Sequence, residues 1–265
     1  MKYVTIETVE KTPRAMTLTA RGVSGHGSVP LQSNAIVRVA NAVSRVARWQ
    51  PPIRLNETTT AYFKRLAAIS PPQQAARYRA VLSSDPKVRG PADEYFRAHE
   101  PMHASMLRSS ISPTILQGGY RLNIIPSEAV ATLDVRTLPG EDPAKFLEQV
   151  RRVVNDPEIE VAYVKRDVRP PGATRLDTEA FAVLERNVTK HYKTPTLPTM
   201  MTGGSDMAYL RGKGMQCYGI GPALDAEDGP RGFGAHSDQE RLLESELHRF
   251  VRFNYDVVLD LVKQQ

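Results

Sequence analysis

The residues best suited to chemistry fall in two clusters between positions 201 and 240. The first is Thr-Gly-Gly-Ser-Asp at residues 202–206, and the second surrounds His236 in Gly-Phe-Gly-Ala-His-Ser-Asp-Gln-Glu at residues 232–240. A neutral imidazole is a good zinc ligand, and glycines let the backbone approach a bound ion closely. An apolar run precedes the histidine cluster and a helical tail follows it, so His236 is predicted to lie on an exposed loop where ligands bind.

A second histidine, His26, lies in the segment Gly-His-Gly-Ser-Val-Pro at residues 25–30. Residues 15–20 alternate between apolar and polar types, which predicts a half-buried strand leading into this loop. Apolar residues then recur at intervals of three and four over residues 35–49, which predicts an amphipathic helix. The glycines around His26 lack the G-x-G-x-x-G spacing, so a dinucleotide-binding turn is disfavoured.

Residues 56–108 are hydrophilic and interrupted by prolines, which indicates an insertion of short helices. Within it, the five residues from His99 to His103 match the H-E-x-x-H pattern of zinc peptidases, which needs both histidines on one face of a continuous helix. Pro101 lacks a backbone donor and disfavours a helical conformation at Glu100. A helix start in a polar insertion is therefore the favoured interpretation, and an H-E-x-x-H zinc site is a minor alternative.

The elements after the insertion complete a sheet. Alternation and turn residues predict strands at residues 112–117, 129–136 and 159–164, and a helix at 144–154 capped by Asp142 and Pro143. With the insertion left out, the order is strand, helix, strand, strand, helix, strand. That order predicts a split β-α-β unit with two helices on one face of a four-stranded sheet.

The last hundred residues read as part of an α/β domain. The proline-rich segment at residues 169–173 is a natural domain boundary. Beyond it we expect helices at residues 177–192, 206–213 and 240–262 and an apolar strand at 215–220. The predicted fold class is therefore α/β (α+β), with the second unit too small to be a complete doubly wound domain.

Composition narrows the class of protein. The chain has 265 residues, with 35 Lys and Arg interleaved with 29 acidic residues, and no nucleic-acid-binding module is recognisable. No apolar run approaches the roughly 20 residues needed to span a bilayer, and the first residues alternate like a strand where a signal peptide would be apolar. We therefore expect no nucleic-acid or membrane partner, and a cytoplasmic location if the chain is complete. The single cysteine, Cys217, is expected to be a buried and inert thiol.

The order and approximate spacing of several motifs resemble those of the M20 metallopeptidases, the two-zinc carboxypeptidases, aminoacylases and deacylases. The resemblance extends over nearly the whole chain, and the polar insertion is most similar to the carboxypeptidase S-like branch. It is carried by Gly25 to Pro30 with Asn34-Ala35-Ile36, by Asn123 to Pro126, by Asp134-Val135-Arg136 and Leu138-Pro139-Gly140, by Gly203 to Asp206, and by Gly234-Ala235-His236 with Glu240.

The resemblance implies a division into domains. Residues 1–11 would end an N-terminal catalytic segment, and residues 12–166 would form a ferredoxin-like lid or dimerisation domain that contains the insertion at 56–108. Residues 167–265 would form the C-terminal part of a zinc-peptidase catalytic domain. The lid implies a homodimer, and the implied substrates are small peptides or N-acyl amino acids.

The resemblance also implies roles for individual residues. His236 matches a zinc ligand, and His26 matches the lid histidine that reaches the partner subunit's active site and stabilises the oxyanion. Asn123 and Arg136 match substrate-binding positions, and a guanidinium suits a carboxylate because it can bind both oxygens. Gly204 and Ser205 are expected to line the same pocket.

The chain also departs from the family pattern. In the family, the other metal ligands and the catalytic glutamate lie in H-x-D and Glu-Glu motifs of an N-terminal half that precedes the lid, and neither motif is found ahead of the lid in this sequence. Two zinc ions are expected per complete active site, and this chain offers at most one ligand. We therefore expect the C-terminal portion of a zinc-dependent amide hydrolase, inactive alone. The alternative is a non-catalytic dimerisation or binding module.

Overall fold

The computed structural model describes residues 2–165, 168–225, 227–228, 231, 233 and 236–263. The insertion contributes four consecutive helices between the first helix of the chain and the fourth strand. In chain order the elements are β1 (Val4–Glu10), β2 (Thr12–Arg21), β3 (Gly25–His26), α1 (Ala35–Arg48), α2 (Glu57–Ala68), α3 (Pro72–Ala80), α4 (Pro86–His99), α5 (Pro101–Met106), β4 (Ser110–Gly118), β5 (Ile124–Ile125), β6 (Glu128–Thr137), α6 (Pro143–Val154), β7 (Ile159–Tyr163), α7 (Glu179–Tyr192), β8 (Thr196–Met201), α8 (Met207–Arg211) and α9 (Glu244–Val262).

The predicted split β-α-β unit is present as an antiparallel sheet with the strand order β4-β6-β2-β7. Strand β2 pairs with β6 along its whole length, from Thr12 opposite Thr137 to Arg21 opposite Glu128. Helices α1 and α6 pack on one face of this sheet and bury a single apolar core with it. The α/β (α+β) fold class is therefore confirmed.

Capping residues fix the ends of the two helices on this sheet. The Asn34 side chain accepts a hydrogen bond from the backbone N–H of Ile36 at the start of α1. At the start of α6, Asp142 accepts from the N–H groups of Ala144 and Lys145, and Pro143 occupies the first helical position. The predicted start of α6 is therefore confirmed.

The helices of the insertion, α2 to α5, cover the two-stranded sheet that β1 forms with β8. Their core contains Phe63 and Phe96, whose rings stack 5.9 Å apart, and it includes Leu197 and Met200 of β8. The side chain of Asn56 and that of Thr59 form a capping box at the start of α2. The insertion therefore belongs to the hydrophobic core of β1 and β8, although its ends connect elements of the four-stranded sheet.

Strands β1 and β8 form a separate parallel pair, with Val4 opposite Thr196. The sequence prediction of a strand at residues 215–220 is wrong, and β8 was not predicted. Only an isolated bridge between Glu7 and Gly219 joins residues 215–220 to β1. Pro198 lies inside β8 and weakens its strand signal, because proline cannot donate a ladder hydrogen bond.

The C-terminal helices form a third core. Phe253 and Val257 on one face of α9 are buried together with residues of α7 such as Phe181 and Val188. Cys217 is buried as expected. The opposite face of α9 exposes a row of large apolar side chains at helical spacing, hereafter the α9 stripe, which consists of Leu247, Val251, Tyr255, Val258 and Val262. Within the described ranges, no helix combines the length and apolar character needed to cross a membrane.

Candidate functional site

His26 lies at the end of β3, and one of its two imidazole nitrogens, Nδ1, is hydrogen-bonded to Ser28. Its Nδ1 accepts from the backbone N–H of Ser28 at 3.2 Å and lies 2.7 Å from the Ser28 hydroxyl. A nitrogen that accepts from a backbone N–H carries no proton, so this arrangement assigns the proton to Nε2. His26 therefore presents an Nε2–H donor on a neutral ring.

Asn123 lies beside His26. Strand β3 pairs with β5, with His26 opposite Ile124, and the Gly27 N–H donates to the Asn123 carbonyl at 2.8 Å. Both residues line a cleft of about 690 Å³ together with Ser24, Tyr120 and Glu128. Two of the predicted site residues are thus brought together at one concave surface.

Arg136 lies far from this cleft within one copy of the chain. Glu128 at the start of β6 lines the cleft, whereas Arg136 is near the other end of the same strand. A strand rises about 3.4 Å per residue, so the two positions are roughly 27 Å apart. The guanidinium is also occupied, because its Nε and Nη2 donate to the two carboxylate oxygens of Asp134.

Gly204 and Ser205 lie on the loop between β8 and α8, and this loop is hydrogen-bonded to Glu10. The Glu10 carboxylate accepts from the Ser205 backbone N–H at 3.0 Å and from the Ser205 hydroxyl at 2.6 Å. The same Ser205 hydroxyl also accepts a hydrogen bond from the backbone N–H of Met207, the first residue of α8. The conformation of the loop is therefore set by a residue at the end of β1.

Arg211 joins this carboxylate to a second one. Its guanidinium is almost completely buried, donates to Glu7 at 3.0 Å and lies 3.5 Å from Glu10. Burial raises the pKa of Glu7, and the neighbouring Arg211 opposes that effect. A buried charge is stable only when paired, so Arg211 and the two carboxylates act as one unit.

Sequence reasoning missed this unit for a geometric reason. In a regular strand, side chains three positions apart lie on opposite faces. The register of β1 shifts between Glu7 and Val9, which marks a bulge. The extra residue turns Glu7 and Glu10 toward the same face, and no sequence signal of alternation reveals it.

Two glycines allow residues 169 and 170 to lie close to the loop after β8 and to the end of α8. A Cβ atom at Gly204 would be 2.6 Å from Arg169 Nη1, and one at Gly212 would be 2.9 Å from Pro170. A side chain at Gly212 would collide with the rigid Pro170 ring and push residues 169 and 170 away, whereas one at Gly204 would meet only the flexible end of the Arg169 side chain, which can shift. The domain boundary predicted at residues 166 and 167 lies outside the described residues.

His236 is exposed and has a left-handed backbone, with φ of 68°. Its backbone N–H donates to the Glu240 carboxylate at 3.1 Å. Gly232, Gly234 and Ala235 of the predicted motif lie outside the described residues. Over the ranges that the structure covers, no three His, Cys, Asp or Glu side chains are grouped to hold a metal ion. These residues therefore do not form a complete zinc site.

The H-E-x-x-H match has a structural role. Helix α4 ends at His99 and α5 begins at Pro101, so the two histidines are on different helices. His103 Nδ1 donates to Glu100, and its Nε2 lies 2.9 Å from the Tyr62 hydroxyl. The geometry that a zincin helix requires is absent at this position.

Comparison with known proteins adds the family. The peptidase dimerisation domain of the M20 family matches residues 10–162. The chain is 25% identical to probable carboxypeptidase S-like 2 of Dictyostelium discoideum over 91% of its own length and 45% of that protein. It is 24% identical to the human N-fatty-acyl-amino acid synthase/hydrolase PM20D1 over 94% of its length and 49% of that protein. The chain thus spans about half the length of these relatives.

Solved structures agree on the fold. An M20 family metallo-carboxypeptidase, Sso-CP2 of Sulfolobus solfataricus, superimposes with a TM-score of 0.60 at 16% identity, over 96% of this chain and 59% of that one. The di-peptidase Dug1p of Saccharomyces cerevisiae gives a TM-score of 0.63 at 14% identity, over 97% and 56%. With more than half of its residues matched to the dimerisation domain, the chain belongs to the M20 peptidase family.

Proposed function

We propose that the chain is the dimerisation and substrate-binding portion of a zinc-dependent M20 hydrolase that cleaves amide bonds in small peptides or N-acyl amino acids. One observation carries the proposal. His26 and Asn123 share a cleft at one end of the four-stranded sheet, and the Ser205 loop lies beside β1, beyond the opposite end. The cleft and the Ser205 loop are separated by the length of the four-stranded sheet, which is too far for both to contact one small substrate within one copy. The cleft of one copy would therefore complete the site of a second copy.

The chemistry assigned to the cleft is hydrogen bonding to a developing oxyanion. The Nε2–H of His26 and the side-chain amide of Asn123 are both donors, and a donor aimed at an acyl oxygen stabilises its negative charge in the transition state. The neutral ring needs no proton transfer to play this part. Ser205, held by Glu10, would line the opposite wall of the completed site.

The exposed edge of the sheet supports a homodimer. Strand β4 pairs only with β6 among the described strands, and Ile115 and Leu116 on it are exposed. An unprotected apolar edge strand is a surface on which another strand can pair. We infer that two copies associate through β4 and the neighbouring helix α1.

The metal site requires residues from elsewhere. We propose that His236 provides one zinc ligand and that the remaining ligands and a catalytic glutamate come from a further, N-terminal portion of the enzyme. The α9 stripe supports this, because five large apolar side chains in one row form a surface suited to a packed neighbour. Without that portion, the chain would be a non-catalytic dimerisation or binding module. This second candidate is favoured by one observation, namely that the described residues contain no group of three potential metal ligands.

An activity assay with an added N-terminal M20 portion tests the proposal. The chain alone should not hydrolyse dipeptides or N-acyl amino acids, and the assembled protein should do so with added zinc. His26→Ala should lower kcat of the assembled protein about 100-fold or more, the usual cost of one oxyanion donor. His99→Ala, at an exposed histidine on α4, is the matched control and should leave kcat unchanged. Hydrolysis by the chain alone, or full activity of His26→Ala, would contradict the proposal.

A further inference from the structure

Lys11 is the one residue between β1 and β2, where the chain passes directly from the two-stranded sheet to the four-stranded sheet. Its side chain is fully buried, with 0% exposure. Its backbone N–H donates to the Met201 carbonyl at the end of β8. Lysine is rarely buried in this way unless a carboxylate accompanies it. This residue between the two sheets is hereafter called the joint.

Hydroxyl groups surround the Lys11 amine. Nζ lies 3.1 Å from the hydroxyl of Ser105 on α5 and 3.1 Å from the hydroxyl of Ser110 at the start of β4. These contacts connect the joint to the last helix of the insertion and to the edge strand of the four-stranded sheet. The amine thus holds together three parts of the molecule that are distant in sequence.

The charged groups that face the amine are cations. Arg108, between α5 and β4, and Arg136, on β6, both act on Lys11. Asp93 and Asp134 are close to these arginines but are engaged by them, because Arg108 Nη2 donates to Asp93 and the Nε and Nη2 atoms of Arg136 donate to Asp134. Burial, with help from the two arginines, lowers the pKa of Lys11 to about 7.

We propose that the joint is a pH-sensitive element, whose closed form is most stable while the Lys11 amine is neutral and opens locally more often once the amine takes up a proton. A neutral amine can accept from one serine hydroxyl and donate to the other without a counter-ion. A protonated amine at the same place would be a third positive charge without a carboxylate. Opening toward water removes that cost. This inference goes beyond the proposed hydrolase function and does not depend on it.

The direction of the pH effect follows from proton binding. The opened joint restores the ordinary pKa of lysine, near 10.4, so the opened form binds more protons than the closed form between about pH 7 and pH 10.4. The closed joint therefore gains stability as pH rises through that window. The opening equilibrium should change by up to about tenfold per pH unit within it. Below about pH 7 both forms are protonated, and the dependence should level off.

A direct test follows the amine itself in the intact chain. The ¹⁵Nζ and ¹³Cε resonances of Lys11 should titrate near neutral pH, and those of the exposed Lys145 are followed in the same spectra as a reference. A second variant sharpens the test, since Arg136→Gln removes one facing cation and frees Asp134. It should raise the midpoint of Lys11, an effect that a purely structural lysine would not produce. Titration of wild-type Lys11 above pH 9.5 would overturn the proposal.

Amide hydrogen exchange tests the opening. After correction for the intrinsic exchange rate, protection of peptides covering residues 101–112 should rise steeply between pH 7 and pH 9 and stay flat between pH 5.5 and pH 6.5. Lys11→Met, of similar length and without a charge, should abolish the slope, and Lys145→Met should retain it. Peptides of α7 should show no such slope in any variant. A parallel pH profile in wild type and Lys11→Met would refute the idea, and if Lys11→Met does not fold, the resonance titration still decides.

Discussion

Glu10, the last residue of β1, connects that strand to the loop that would bind substrate. Its carboxylate accepts two hydrogen bonds from Ser205 and lies beside the buried Arg211. Hydrogen bonds to a charged group contribute about 1.5–3 kcal/mol each. The Gly-Gly-Ser loop therefore owes its conformation to a carboxylate far away in sequence.

Glu10→Gln should loosen this loop. The amide keeps one acceptor but loses the charge, so hydrogen exchange at the Ser205 N–H should become about tenfold faster or more. Glu94→Gln, an exposed glutamate on α4, provides the matched control and should leave that amide unchanged. An unaltered Ser205 exchange rate in Glu10→Gln would mean that the carboxylate does not hold the loop.

His103 is expected to stabilise the insertion. Its ring packs against Phe63, Tyr78 and Phe96, and both nitrogens are hydrogen-bonded. His103→Ala would leave a cavity, and Glu100 would keep the hydrogen bond from Tyr78 but lose the one from His103. The free energy of unfolding should therefore fall by roughly 2–4 kcal/mol in urea denaturation. His99→Ala, which loses only a contact with Tyr95, should cost far less. Equal losses would argue against a structural role specific to His103.

Sequence motifs located some of the candidate site and missed the rest. His26 and Asn123 are part of recognisable local motifs, and the two short strands that join them bring their side chains to one cleft. Glu10 and Lys11 have no such signal. The first faces Arg211 only because of a bulge, and the second is hidden because a buried lysine looks like a surface one in sequence.

Among the elements, strand β4 has the clearest consequence for assembly. Leu116 on this edge strand is 58% exposed. Leu116→Lys would place a charge in the proposed interface, where an unpaired charge is costly, so the dimer dissociation constant in sedimentation should rise at least about tenfold. Val88→Lys makes the same kind of change at an exposed valine on α4 and should have no effect. A Leu116→Lys chain that dimerises like wild type would exclude β4 from the interface.

Helices were easier to predict than strands in the C-terminal unit. Helix α7 begins where Thr178 accepts from the Phe181 N–H, a cap that is visible in the sequence. The apolar run at 215–220 resembles a strand, yet Met215 bonds back to Leu210 at the end of α8 and only Gly219 reaches β1. Tertiary contacts decided between strand and loop there, and local pattern cannot predict them.

At the scale of the whole molecule, the three hydrophobic cores found among the described residues divide the chain differently from its order in sequence. The four-stranded sheet with α1 and α6 has its own core, as the periodicity of these elements predicts. The insertion at 56–108 instead shares a core with β1 and β8. Its polar composition concealed this role, because each helix buries only one narrow face.

The pairing of β1 with β8 has a kinetic consequence. It joins Val4 to Thr196, so it must close a loop that contains the entire four-stranded sheet and the insertion. Loop closure is entropically costly, and contacts between distant residues form slowly. The short helices of the insertion, by contrast, contact their neighbours in sequence. In pulse-labelled hydrogen exchange during refolding, amides of α2 to α5 should gain protection before those of β1 and β8. The chain would then spend its early life with the apolar face of α2 uncovered, a state in which collapse onto the wrong partner competes with correct folding.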